Sequence, residues 1–211
     1  LPFGRGLVLP ALAARAALAA DDCWKRLAAP FRDGVSQCLL PSGAKRHGDD
    51  RGWFSETYKQ HTLRDAGIDI DFMQDNESFS APTGTLRGLH YQTAPHAQDK
   101  LVRVIHGSIL DVAVDIRRAS PTFGQHIAVT LTAEDANQLL VPVGFAHGFC
   151  TLEPDTRVAY KVSGQYAPDC ERAIRWDDPD LDIAWQLPAH GPTLSGKDGT
   201  APLFADQPEL F

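Results

Sequence analysis

Beyond position 100 the chain runs as short segments in which apolar residues recur with the period of two expected of strands half-buried in a sheet. Residues 100–106 (KLVRVIH), 109–116 (ILDVAVDI), 126–132 (HIAVTLT), 138–141 (QLLV) and 157–163 (RVAYKVS) are rich in β-branched side chains, and Gly, Pro and Asp punctuate the intervals. Each is expected to be a strand. Only Gly107 and Ser108 separate the first two, which predicts a tight hairpin. Earlier, Ser55 followed by Glu56 predicts a capped short helix over residues 56–66, stopped at Gly67. Many short strands with few, short helices make the chain mainly β, an antiparallel sandwich or barrel.

Parity within two of these strands has chemical meaning. Lys100 shares its class with Val102 and Val104, opposite Arg103, and Tyr160 shares its class with Val158 and Val162, opposite Arg157 and Lys161. Both polar residues are therefore expected to face the interior. Each also has a plain structural reading: a strand-end lysine can snorkel to solvent, and a core tyrosine can satisfy its hydroxyl on a carbonyl.

Residues 1–34 are rich in Ala, Leu and Pro and lack strand alternation, so the functional domain is placed at residues 35–211 behind an N-terminal extension of unknown role. Arg15 interrupts the apolar stretch that follows Arg5, which argues against a secretory leader. No apolar run approaches the length of a membrane span. The net charge of −7 and the lack of a basic block exclude a general nucleic-acid binder. The 4 cysteines form no CxxC pair and are too sparse for a disulfide scaffold, as suits a reducing, cytoplasmic setting.

Residues 142–149, PVGFAHGF, resemble the second motif of the cupins, whose histidine is a metal ligand in many members. The first motif would supply an HxH pair and a downstream glutamate. Here that segment reads His90-Tyr91-Gln92, with Lys100 downstream, and a cation is the wrong group at a metal. No metal and no cofactor are expected, and His147 is either structural or a ligand contact.

LRGLHYQ (86–92), KLVRVIHG, DVAVDIRRASPTFGQ, PVGFAHGF, VAYKVSGQYAP, ERAIRWDDPDL and LSGKD, preceded by GDDRGWFSETY and MQDNESFS, together resemble the dTDP-4-dehydrorhamnose 3,5-epimerase family. The likeness runs in order from about Arg46 to Asp206. It implies a cupin-like jelly-roll barrel, a homodimer with shared N-terminal strands, no metal, and dTDP-4-dehydro-6-deoxy-D-glucose as substrate. It further implies His90 as the base, Asp198 as the group that orients it, Lys100 as the cation on the enolate oxygen and Tyr160 as the acid. Arg87 would pair with the diphosphate, and Tyr166 would line the pocket. Arg51, Glu56, Gln74, Asp75, Asn76, His147, Glu171 and Lys197 would contact the nucleotide sugar. Three of these have simpler readings: Asn76 in a turn, Glu56 at a helix N-terminus, and Glu171 paired with Arg172 in solvent. Epimerisation at C3 alone, a non-catalytic sugar-nucleotide-binding cupin and a metal-dependent cupin enzyme are the alternatives to a double epimerase.

Overall fold

A computed structural model of the chain describes residues 45–211, together with the backbone of Leu7–Val8 and Leu39–Leu40. The boundary expected at residues 34/35 lies outside the described residues. In chain order the strands are β1 (Leu7–Val8), β2 (Leu39–Leu40), β3 (Arg46–Asp49), β4 (Gly52–Ser55), β5 (Gln74–Ser80), β6 (Leu86–Gln92), β7 (Lys100–His106), β8 (Ser108–Asp115), β9 (His126–Thr132), β10 (Gln138–Val141), β11 (Phe145–Thr151), β12 (Thr156–Val162) and β13 (Glu171–Ala173). The α-helices are α1 (Gln60–Asp65) and α2 (Gly196–Gly199).

Two sheets face each other, one ordered β1-β9-β8-β11-β6-β13 and the other β2-β10-β7-β12-β5; β3 and β4 form a separate hairpin. Apart from the short β1–β9 contact, the pairings are antiparallel. This is the cupin-like jelly-roll, mainly β with few short helices.

Period-two alternation sorts side chains into three buried clusters. Between the sheets lie Val102, Val104, Ile109, Ala113, Leu131, Leu139, Phe145, Phe149 and Val158, drawn from both sheets. The other parity class of β8, Leu110, Val112 and Val114, packs on the outer face of the six-stranded sheet beneath Ile183, Trp185, Phe204, Leu210 and Phe211. Strand β8 is consequently buried along its whole length. On the outer face of the five-stranded sheet, Leu63 and Ile68 from around α1 cover Leu101 and Leu140. At about 1.5–3 kcal/mol for each fully buried aliphatic side chain, these three layers supply most of the drive to fold.

Two local expectations are corrected. Residues 106–108 make no hairpin, because β7 and β8 belong to different sheets and the chain passes between layers there. Gly107, at φ +79, permits the passage, since a Cβ would lie 2.4 Å from Thr156 Oγ1. The helix is also shorter than residues 56–66. It starts after Lys59, which makes no side-chain cap, while Ser55 ends β4. Tertiary contacts win over the local capping signal: Gln138 Nε2 donates to Thr57 O at 2.8 Å, and Tyr58 packs edge-on against Phe72.

Candidate active site

Alternation brings polar residues of both sheets into the space between them. On the six-stranded sheet β6 carries His90, which lies directly across from His147 on β11. The two strands approach closely at Gly88, φ +131, where a Cβ would stand 2.5 Å from Gly148 Cα. Any larger residue would push β6 and its histidine off β11.

His90 Nε2 lies 2.5 Å from Asp198 Oδ1. Asp198 comes from α2, a single turn whose N-cap, Ser195, accepts from the Asp198 amide at 3.1 Å and donates to Asp198 Oδ2 at 2.8 Å. Burial works against the Asp198 carboxylate, but the bonds from His90 and Ser195 prevail and hold it below the usual carboxylate range. An ionised carboxylate on one ring nitrogen fixes the imidazole's tautomer and leaves the other nitrogen to accept a proton.

From the facing sheet β7 contributes Lys100, whose Nζ donates to His90 O at 3.4 Å. Burial pushes the ammonium down to about 8, opposed first by the charge of Asp111 and then by Glu171. Its neighbours Val102 and Val104 are 0% and 4% exposed, so the parity reading is correct and Lys100 does not snorkel outward. On β12 Tyr160, registered between Asn76 and Val102, packs against the inter-sheet core. Burial raises the phenol above its ordinary value, with Arg87 opposing.

A chain of contacts extends outward from this centre. Lys197, beside Asp198, pairs with Glu171 Oε1 at 2.5 Å, and Tyr166 donates to Glu171 Oε2 at 2.9 Å. Glu171 therefore does not pair with Arg172, which turns to Glu209. Arg87 Nη2 donates to Phe79 O at 3.0 Å and Nε to Ser80 Oγ at 3.3 Å, leaving its guanidinium half anchored. Gln74 donates to Asn76 on β5, and Asp75 pairs with Lys161 at 2.7 Å, so Asn76 is a mid-strand residue and not a turn former. Glu56, Asp75, Asn76 and Tyr160 line a cleft of about 640 Å³. Its other walls, Leu101, Arg103, Ile105 and Lys161, belong to the outer face of the five-stranded sheet, and His90, Lys100 and Asp198 do not line it. Arg51 is the outlier. It lies in the β3–β4 turn, bound to Asp49, with its side chain 90% exposed.

Asp111 escaped the sequence reading. It is 0% exposed, and its Oδ1 lies 2.6 Å from His147 Nε2. The signal was present: in ILDVAVDI an aspartate shares its parity with the inward-facing Ile109 and Ala113.

Residues 38–206 match the family model described as dTDP-4-dehydrorhamnose 3,5-epimerase. A protein of that description from Pseudomonas aeruginosa is 50% identical over 160 residues, covering 75% of this chain and 87% of its own. The chain belongs to the dTDP-4-dehydrorhamnose 3,5-epimerase family. Its fold agrees with the family's solved structures. The Bacillus anthracis epimerase, with TDP and PPi bound, superimposes with a TM-score of 0.77 at 46% identity, over 82% of this chain and 97% of that one. The Legionella pneumophila enzyme, in complex with dTDP-4-keto-L-rhamnose, gives 0.73 at 45% identity over 77% and 85%. Within the family-matching region lie His90, Lys100, Tyr160, Asp198 and each of the expected contact residues, including the displaced Arg51. Among the described residues no helix is long and apolar enough to cross a membrane.

Proposed function

We propose that this protein is a dTDP-4-dehydrorhamnose 3,5-epimerase, converting dTDP-4-dehydro-6-deoxy-D-glucose to dTDP-4-dehydro-L-rhamnose. One observation carries the mechanism: His90 and Tyr160 stand on opposite walls of the barrel, on β6 of one sheet and β12 of the other. Inverting a carbon requires a proton to leave one face and another to arrive at the opposite face.

The 4-keto group makes the hydrogens on C3 and C5 acidic, because the electron pair left behind delocalises onto the keto oxygen as an enolate. His90 takes the proton, with Asp198 stabilising the imidazolium. Lys100 neutralises the enolate oxygen in a water-poor interior, where a fixed charge is worth far more than in bulk water. Tyr160, held protonated by burial, returns a proton from the far side and re-forms the ketone. Protons balance between two side chains and solvent, so the chemistry calls for neither metal nor redox cofactor.

Arg87 would meet the diphosphate, for which its fork of donors suits bidentate contact. Tyr166, Glu171, Lys197, His147, Gln74, Asp75 and Asn76 would hold the rest of the nucleotide sugar. Arg51 and Glu56 sit at the hairpin end, where Trp53 and Phe54 are 60% and 71% exposed. That exposure supports a homodimer in which the hairpin leans on a second copy and Arg51 serves the partner's pocket. A cytoplasmic location suits both the thiols and a nucleotide-sugar substrate.

Proton NMR of the substrate with enzyme in heavy water tests the reading. Loss of signal at C3 and C5, then an L-rhamno product, is the expected result. Loss at C3 alone would reassign the protein as a mono-epimerase, and no exchange would remove it from catalysis.

A further inference from the structure

The scheme above leaves Asp111 without a role. Its Oδ1 is taken by His147 Nε2 at 2.6 Å, whereas its Oδ2 is buried with no hydrogen-bond partner among the described residues. A carboxylate oxygen withdrawn from water and given no donor is costly unless a cation nearby repays it. Lys100 is that cation. Its side chain is half-buried against the inter-sheet core, its hydrogen bond among the described residues is a long one to a carbonyl, and Asp111 is the foremost group favouring its charge. The two act through space, with no hydrogen bond between them.

Other groups around Lys100 do not replace Asp111. His90 on β6, His147 on β11 and Tyr160 on β12 offer no fixed negative charge. Glu171 on β13 favours the ammonium but is already bound to Lys197 and Tyr166, and Lys197 on α2 opposes it. A buried amine without a counter-charge sheds its proton, and a neutral amine cannot stabilise an enolate.

We propose that Asp111, locked in orientation by His147, is a positioning residue that keeps Lys100 cationic for the enolate oxygen. This rests on the reading of Lys100 given under Proposed function.

The test is the titration of Lys100 itself, followed by NMR of isotope-labelled lysine in the full-length protein, the signal being assigned through its loss in Lys100→Met. In Asp111→Asn the midpoint is expected to fall by about one pH unit or more. The basic limb of kcat should move with it while KM for the substrate stays put. A Lys100 midpoint unmoved in Asp111→Asn overturns the proposal whatever the activity does. A moved midpoint with an unmoved kcat limb would uphold the coupling and overturn the enolate role of Lys100, so the two failures are separable. His147→Asn removes the lock but keeps the charge, so Lys100 should titrate no lower than in wild type. A fall as large as that in Asp111→Asn would mark general loosening of the barrel and overturn the proposal, even if Asp111→Asn itself did not fold.

Discussion

In the proposed scheme four side chains divide the chemistry, His90 as base and Tyr160 as acid among them, and the division can be separated experimentally at the level of single residues. His90→Ala removes the base, so exchange of the C3 and C5 hydrogens with heavy water should stop; wild-type exchange in that variant would dismiss His90. Tyr160→Phe removes only the acid. Its partly buried ring keeps its packing, so hydrogen loss should continue while L-configured product falls by about 10²-fold or more. Unchanged product formation would mean that another group delivers the proton. Parity within each of two strands was enough to place Lys100 and Tyr160 inward, because a two-residue period leaves no third direction. Asp111 obeyed the same rule. It was overlooked because nothing near it in the sequence supplies a partner for a buried aspartate, and His147 comes from a strand 36 positions away.

At the level of elements, the strand cores were readable and their partners were not. Residues 100–106, 126–132 and 138–141 coincide with β7, β9 and β10, and the other two expected strands are off by one residue at their ends. Gly107 looked like a hairpin because adjacent strands usually pair; only the packing of two sheets shows a crossing. Strand β5, QDNESFS, has hardly any apolar content and forms because β12 pairs along its full length. The pivotal short element is α2, where Ser195 both caps the turn and holds the Asp198 carboxylate. Ser195→Ala should cost about 1 kcal/mol of local stability, which expressed through Asp198 is roughly a fivefold loss of kcat. Because Ser195 acts through His90, KM should hold steady. Steady-state kinetics showing a wild-type kcat would relegate the cap to scaffolding.

For the whole molecule, the buried ammonium sets activity against stability. Lys100 titrates near 8 in the fold and at 10.5 when exposed, so folding weakens its hold on a proton. Below pH 8 the folded state therefore carries a penalty of about 3 kcal/mol, which disappears as pH rises from 8 to 10.5. Lys100→Met should abolish turnover, and its stability relative to the wild type should fall as pH rises from 8 to 10.5, because only the wild type sheds the penalty of a buried ammonium there. In the wild type, turnover should decline as pH climbs through about 8, when the cation is lost. Calorimetric scans in which the difference between Lys100→Met and the wild type stayed constant between pH 8 and 10.5 would contradict the buried-ammonium penalty.

His90 and Asp198 are 108 positions apart, on a strand and a turn joined only through the finished barrel. Loop closure over that distance is deferred until most of the chain has condensed, as in other folds dominated by non-local pairing. No fragment of the chain should therefore carry a working remnant of the centre. In a denaturant titration, turnover and far-ultraviolet dichroism should vanish at one shared midpoint, and the recovery of activity on dilution should keep time with the slowest phase of refolding.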